Sequence, residues 1–246
     1  MAEAPILYES RDGVAVITLN RPEKRNAINN DMALALRDAW LRLEEGPDRV
    51  GVLTHAGDHF TGGADIKSPP VDFPACVPNV GVILSKPLVA AVGGWVVGGG
   101  VVAVQMCDLC VADETASFMF PEAKVGFTGA LIAGLAARIP HKVAMELMLL
   151  GDTVTAQRMY EVGFVNRVAP AGTQLAAAMD YARRLADNAP LVLQLLREFV
   201  GEVIPRGPSE ASALGRLAIA RVRESADAQE GRASFREKRK PRFTGK

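Results

Sequence analysis

Three cysteines (Cys76, Cys107, Cys110) in 246 residues are too few to build a disulfide framework. Cys107 and Cys110 form a CxxC pair. No second pair exists, and His55, His59 and His141 are not spaced as ligands, so zinc and redox chemistry give way to core packing beside Met106, Leu109 and Val111. An excess of charge of either sign is also missing, since Lys+Arg and Asp+Glu balance at 28 each. That excludes a general nucleic-acid binder or a membrane-surface protein. The opening MAEAPILYES has neither a basic stretch nor a long apolar run, so it does not read as a secretory signal. The apolar segment from Pro87 to Met106 is broken by Gly93, Gly94 and Gly98 to Gly100. A strand, a turn and a helix start suit it better than a membrane span. A soluble cytoplasmic protein with no metal is the expectation.

What the chain does contain is an ordinary globular composition, 49% hydrophobic and 23% charged. Val14 to Leu19 and Val50 to Thr54 are β-branched enough to read as strands, and Pro87 to Val92 and Leu109 to Ala112 as buried ones. Asn29 or Asn30 can cap a helix from about Asp31 to Glu45, with Met32, Leu36, Ala39, Trp40 and Leu43 on one side. Gly93 to Gly100 reads as a turn opening into a helix through Met106, and Ala64 to Lys67 as the start of a helical turn. Ser68 to Pro78, with four prolines, reads as irregular. Helical patterns follow at Ala130 to Ile139, His141 to Leu150, Ala156 to Val162, Leu175 to Asp187 and Leu191 to Val203, and a last one from about Glu210 to Lys240. Strands alternate with helices in the first half and helices dominate the second, which predicts an α/β fold with a helical C-terminal region. The boundary is placed between residues 1–190 and 191–246. Arg232 to Lys246 holds seven basic residues against one acidic, either a solvated helix or an anion contact.

Several catalytic patterns are absent: no GxSxG, no HExxH, no GK[ST] phosphate loop, and no GxGxxG with a following acid. What remains is glycine at two places. Gly62-Gly63-Ala64-Asp65 follows one strand, and Gly98-Gly99-Gly100 follows another and begins a helix. Glycine lets a backbone approach a ligand closely, and two free N–H groups converging on one point would stabilise an oxyanion. The same glycines would also serve plain turns and close helix–strand packing.

Ordered motifs along nearly the whole chain are more specific. Asn20-Arg21-Pro22-Glu23-Lys24-Arg25-Asn26-Ala27, then Gly63-Ala64-Asp65-Ile66-Lys67, then Lys86-Pro87 through Gly98-Gly99-Gly100 to Met106-Cys107-Asp108 resemble the crotonase (enoyl-CoA hydratase/isomerase) superfamily. Phe120-Pro121-Glu122, Val125-Gly126, Gly151-Asp152, Gly163-Phe164-Val165, Glu230-Gly231, Phe235 and Lys238-Arg239-Lys240-Pro241 continue the resemblance. It implies a spiral of ββα units with a helical C-terminal trimerisation region, assembled as a homotrimer or dimer of trimers. The substrate would be an acyl-CoA thioester, with coenzyme A part of the substrate and no other cofactor. The thioester carbonyl would lie between the N–H groups of Ala64 and Gly99. Arg25, Ala27, Gly63, Asp65, Ile66, Lys67, Gly100, Val102, Phe127, Phe235 and Lys238 would border the substrate, the basic residues near Arg25 and C-terminal lysines from a neighbouring subunit meeting the coenzyme-A phosphates.

Two departures from the family pattern bear on the reaction. Hydratases of the family carry one glutamate two residues after the GGG and a second after the proline of the later turn. Here the first position is Val102 and the second is Glu122. Valine neither accepts nor delivers a proton, so the two-carboxylate hydration machinery is incomplete. One aliphatic and one glutamate is the pattern of the Δ3,Δ2-enoyl-CoA isomerases, with Glu122 as the proton shuttle. The resemblance leaves open a hydratase or decarboxylase using other groups, with His59 as a substitute acid or base, and an acyl-CoA-binding protein without catalysis. The loop from Lys67 to Gly81 is also short for the family. It should border the acyl pocket, as should the turn after Gly126.

Overall fold

The computed structural model describes residues 4–126 and 128–246. The chain opens with a hairpin, β1 (Ile6–Arg11) and β2 (Val14–Leu19), turning at Asp12-Gly13, where both residues have positive φ. Helix α1 (Asn30–Glu45) begins where Asn29 accepts a hydrogen bond from the Met32 N–H at 3.0 Å. It buries Met32, Leu36, Ala39, Trp40 and Leu43 at the expected spacing. There follow β3 (Val50–His55), β4 (Leu88–Val92), β5 (Trp95–Val97), α2 (Gly99–Gln105), β6 (Leu109–Asp113), β7 (Ser117–Met119) and α3 (Glu122–Val125). After α4 (His141–Leu150), β8 (Val154–Thr155), α5 (Ala156–Glu161) and β9 (Arg167–Ala169), the chain is helical: α6 (Gln174–Asp187), α7 (Pro190–Val203), α8 (Pro208–Glu224) and α9 (Ala226–Glu237).

The larger sheet runs β1-β2-β3-β4-β6-β9, parallel except for the hairpin, and the smaller runs β5-β7-β8. Each turn of the chain gives one strand to the large sheet, one to the small sheet, then a helix: β4-β5-α2, then β6-β7-α3. Thr61, after β3, makes a bridge to Val96 and marks the same step one turn earlier. This is a spiral of strand–strand–helix units. Val50, Val52, Val89, Ala91 and Val111 face α6, which meets them with Ala177, Ala178, Ala182 and Ala186. Leu53, Leu88, Ala90 and Ala112 face the other layer with Trp40 and Leu43. Burial on both faces is why β4 is apolar throughout, each large side chain contributing about 1.5–3 kcal/mol.

The structure corrects several readings. Gly93 to Gly100 is not one turn: it contains β5, whose pairing partner β7 lies 22 residues later in the register Trp95↔Ser117. Neither three-residue strand carries a local signal of its own, and β1, β8 and β9 likewise lie at sheet edges or are short. Ala64 to Lys67 holds a bridge residue and a single turn closed by Ser68 N–H donating to the Asp65 carbonyl (3.2 Å), and no helix follows. Ala130–Ala137 is 3-10 rather than α. The expected final helix is interrupted at Ser225, whose extended backbone ends α8 while its hydroxyl caps α9 by accepting from Ala228 N–H. Of the CxxC pair, Cys110 is buried and Cys107 half-buried, and desolvation raises both thiols well above their ordinary pKa.

Candidate active site

The first wall is the segment after β3. Gly62 N–H donates to the Arg25 carbonyl (2.8 Å), Gly63 N–H to Thr61 Oγ1 (3.1 Å) and Asp65 N–H to the Ile28 carbonyl (2.9 Å). Ile28 N–H in turn donates to the Gly63 carbonyl (2.8 Å), completing a bridge to Ala64. In such a bridge residues 63 and 65 spend their groups on Ile28, so the Ala64 N–H faces the other way. Among the described residues it has no hydrogen-bond partner.

Asn26 holds this segment in place. Fully buried and at φ +52°, it accepts from Arg21 N–H (2.7 Å) and donates to the carbonyls of Ala56 (2.9 Å) and His59 (2.8 Å). Its own carbonyl accepts from the Thr61 hydroxyl at 2.6 Å. Asn26→Ala strands three partly buried backbone groups, and is expected to lower unfolding free energy by about 2–4 kcal/mol in urea melts. A midpoint unchanged from the native chain would refute the role assigned to Asn26.

The second wall is the start of α2. Gly99 opens the helix, so its N–H lies in the unpaired first turn, and among the described residues it too has no partner. The two walls meet at Gly63: with φ +89°, a Cβ added there would lie 3.1 Å from the Val97 carbonyl oxygen and 3.9 Å from Gly99 N. Gly98 supplies the sharp entry to the helix at φ +53°, ψ −112°, a conformation open essentially to glycine alone.

Glu122 arrives from the next spiral turn. The β5–β7 register pairs Val97 with Met119, and Gly98 N–H donates to the Met119 carbonyl (2.9 Å). Three residues on, Glu122 lies against Gly98, where a Cβ would sit 2.6 Å from Glu122 Oε1. The far side of this turn is closed by Gly151, packed on Phe120 and Pro121. Glu122 Oε2 is buried with no hydrogen-bond partner among the described residues, and desolvation pushes the carboxyl up to about 7. A carboxylate poised near neutrality beside two free N–H groups can move a proton while they hold a developing oxyanion.

The structure thus brings together Gly63, Ala64, Gly99 and Glu122, with Gly100 and Val102 buried behind them on α2. Arg25, Ala27, Asp65, Ile66 and Lys67 lie on the adjoining loops. Asp65 is occupied by Lys67 N–H (3.1 Å) and by Arg21 at 3.5 Å, which leaves it a positioning part. Ile66 and Lys67 are exposed, and the Arg25 guanidinium lies 4.6 Å from the centroid of Trp95. His59 is used by the fold: its ring stacks on Trp95 at 4.7 Å and its Nδ1 accepts from Trp95 N–H (3.2 Å). Phe235 and Lys238 stand exposed on and just past α9, and among the described residues nothing links them to the cleft. Phe127 lies outside the described residues. One residue at the cleft had no signal in the sequence: Phe73, in a proline-rich loop, whose ring lies against Gly99.

Strand–strand–helix units wound so that the start of one helix meets the loop of the preceding turn define the class, a crotonase-type fold. A family model described as enoyl-CoA hydratase/isomerase matches residues 9–71 and 82–246, and the chain belongs to this family of acyl-CoA enzymes within the crotonase superfamily. The enoyl-CoA hydratase EchA19 of Mycobacterium tuberculosis is 34% identical over 253 residues, spanning 96% of this chain and 95% of that protein. The (E)-benzylidenesuccinyl-CoA hydratase of Thauera aromatica is 32% identical, spanning 98% and 99%. Among solved structures, carnitinyl-CoA hydratase from Mycobacterium avium matches with a TM-score of 0.77 at 32% identity over the whole of both chains.

Proposed function

We propose that the chain holds an enoyl-CoA thioester carbonyl between the Ala64 and Gly99 N–H groups and moves its double bond with Glu122 as the single base. The carboxylate takes a proton from C2 of a 3-enoyl thioester. The resulting dienolate oxygen rests on the two N–H groups, and the proton returns at C4 to leave the 2-enoyl isomer. One observation carries this reading: a desolvated carboxyl abuts Gly98, while the position two residues past the glycines is the buried, proton-inert Val102. The same placement speaks against a binding protein that lacks a working base. Hydration is the second reading, favoured by the names of the relatives, and it would require Glu122 to handle both water and substrate protons. Exposed Leu191, Leu195, Leu196, Phe199 and Val203 on α7 support a homotrimer or dimer of trimers, in which Phe235 and Lys238 of one subunit serve the next. Among the described residues no helix is long and apolar enough to cross a membrane.

The test is a panel of 2-enoyl, 3-enoyl and malonyl-type CoA thioesters, with products separated by chromatography and identified by mass. Migration without water uptake supports the isomerase; a 3-hydroxyacyl product from the 2-enoyl thioester would replace it with the hydratase. Because the base must be ionised, kcat/KM for migration is expected to rise with pH through about 7 and level off above. A profile flat from pH 5 to 9 would rule out Glu122 as the titrating base.

A further inference from the structure

We infer that Phe73 is the wall at the acyl end of the site and restricts the enzyme to short acyl groups, an inference that rests on the Ala64–Gly99 cleft being the thioester site. The Phe73 ring lies directly on Gly99: the three atoms nearest to a Cβ added there are Cζ, Cε2 and Cε1 of that ring. Glu122 occupies the corresponding position at Gly98. The Gly98–Gly99 step is therefore flanked by the carboxylate on one residue and an aromatic ring on the next. An acyl chain whose carbonyl oxygen sits at Gly99 N–H and whose C2 meets Glu122 must extend past this ring.

The ring is held as a wall. Phe73 opens a 3-10 turn, Phe73–Cys76, with Pro74 fixing the backbone immediately after it. Cys76 Sγ donates to the Phe73 carbonyl (3.1 Å), and the Cys76 carbonyl accepts from Nε1 of the fully buried Trp40 (2.8 Å). Cys76, Val77 and Val80 are buried below it, and the Phe73 ring packs on the same core. The position of the ring is thus referred to α1 through a buried hydrogen bond. The family match runs over residues 9–71 and 82–246, and Phe73 lies in the stretch between its two segments.

Butyryl-, hexanoyl-, octanoyl- and lauroyl-CoA, none of which can be turned over by double-bond migration, would be titrated calorimetrically into the native protein, Phe73→Ala and Phe73→Trp. Native affinity is expected to fall beyond the shorter chains. Phe73→Ala should raise the octanoyl-to-butyryl affinity ratio about tenfold or more, and Phe73→Trp should lower it. The two variants push in opposite directions, so a folding defect in either one, seen in its urea melt, leaves the other decisive. A native preference for lauroyl-CoA, or a ratio indifferent to both substitutions, would overturn the wall while leaving the thioester site standing. If no thioester binds the folded native protein, the site reading falls and the wall falls with it.

Discussion

Glu122→Gln is expected to lower kcat for double-bond migration by about 10²–10⁴-fold while the affinity for a CoA thioester is retained. The amide keeps the volume and length of the side chain, so packing against Gly98 survives, but it cannot take up the C2 proton. The backbone donors at Ala64 and Gly99 are untouched, and binding rests on them and on the coenzyme-A contacts. Stability should move the other way. In the folded protein the carboxyl titrates near 7, above its ordinary range, so its ionisation opposes folding. That cost is absent below the unfolded pKa of about 4.3 and grows as pH rises through the folded value. The group is only partly buried, so the full shift must be discounted for solvent screening. Glu122→Gln should then stabilise the protein by about 1–2 kcal/mol at pH 8 and by nothing measurable at pH 4. Urea melts at the two pH values, beside single-turnover kinetics, check both halves; full migration activity in the variant would end the role proposed for Glu122.

Gly98→Ala is expected to damage the site and the fold together. The backbone at φ +53°, ψ −112° disfavours any Cβ, at about 1–3 kcal/mol, and the new methyl would sit 2.6 Å from Glu122 Oε1. One of the two must move. Displacing the carboxylate by about 1 Å should lower kcat/KM about 10²-fold, since the base must meet C2 while the carbonyl oxygen stays on the N–H pair. Thermal melts would register the strain, and kinetics the displacement. Native kcat/KM in a fully stable variant would show that Glu122 works from some other position.

The long elements were legible from the chain. The face of α1, the N-cap at Asn29 and the buried runs that became β3, β4 and β6 follow from spacing and from burial on both faces, which are local properties. The motifs likewise pointed to Ala64, Gly99 and Glu122 as a set, and Val102 marked the departure from the two-carboxylate pattern. The short strands β5 and β7 were not legible, because three residues carry no periodicity and each becomes a strand only beside the other. That pairing is what carries Glu122 to Gly98, so the meeting of base and glycine turn is a consequence of register. The break at Ser225 was hidden for a related reason: a serine that caps one helix reads, in sequence, like any polar residue within a longer one.

What the sequence determined by itself was the inventory: two glycine segments able to bring N–H groups to a ligand, one glutamate where the family pattern has two, and an α/β chain to carry them. The tertiary structure decided the surroundings. It freed the Ala64 N–H by spending its neighbours on Ile28, Thr61 and Arg25, it desolvated Glu122, and it laid Phe73 on Gly99 through a turn anchored to Trp40. Hydrogen-bond satisfaction, solvent access and van der Waals contact depend on groups far apart in the chain, and only the folded protein brings those groups together.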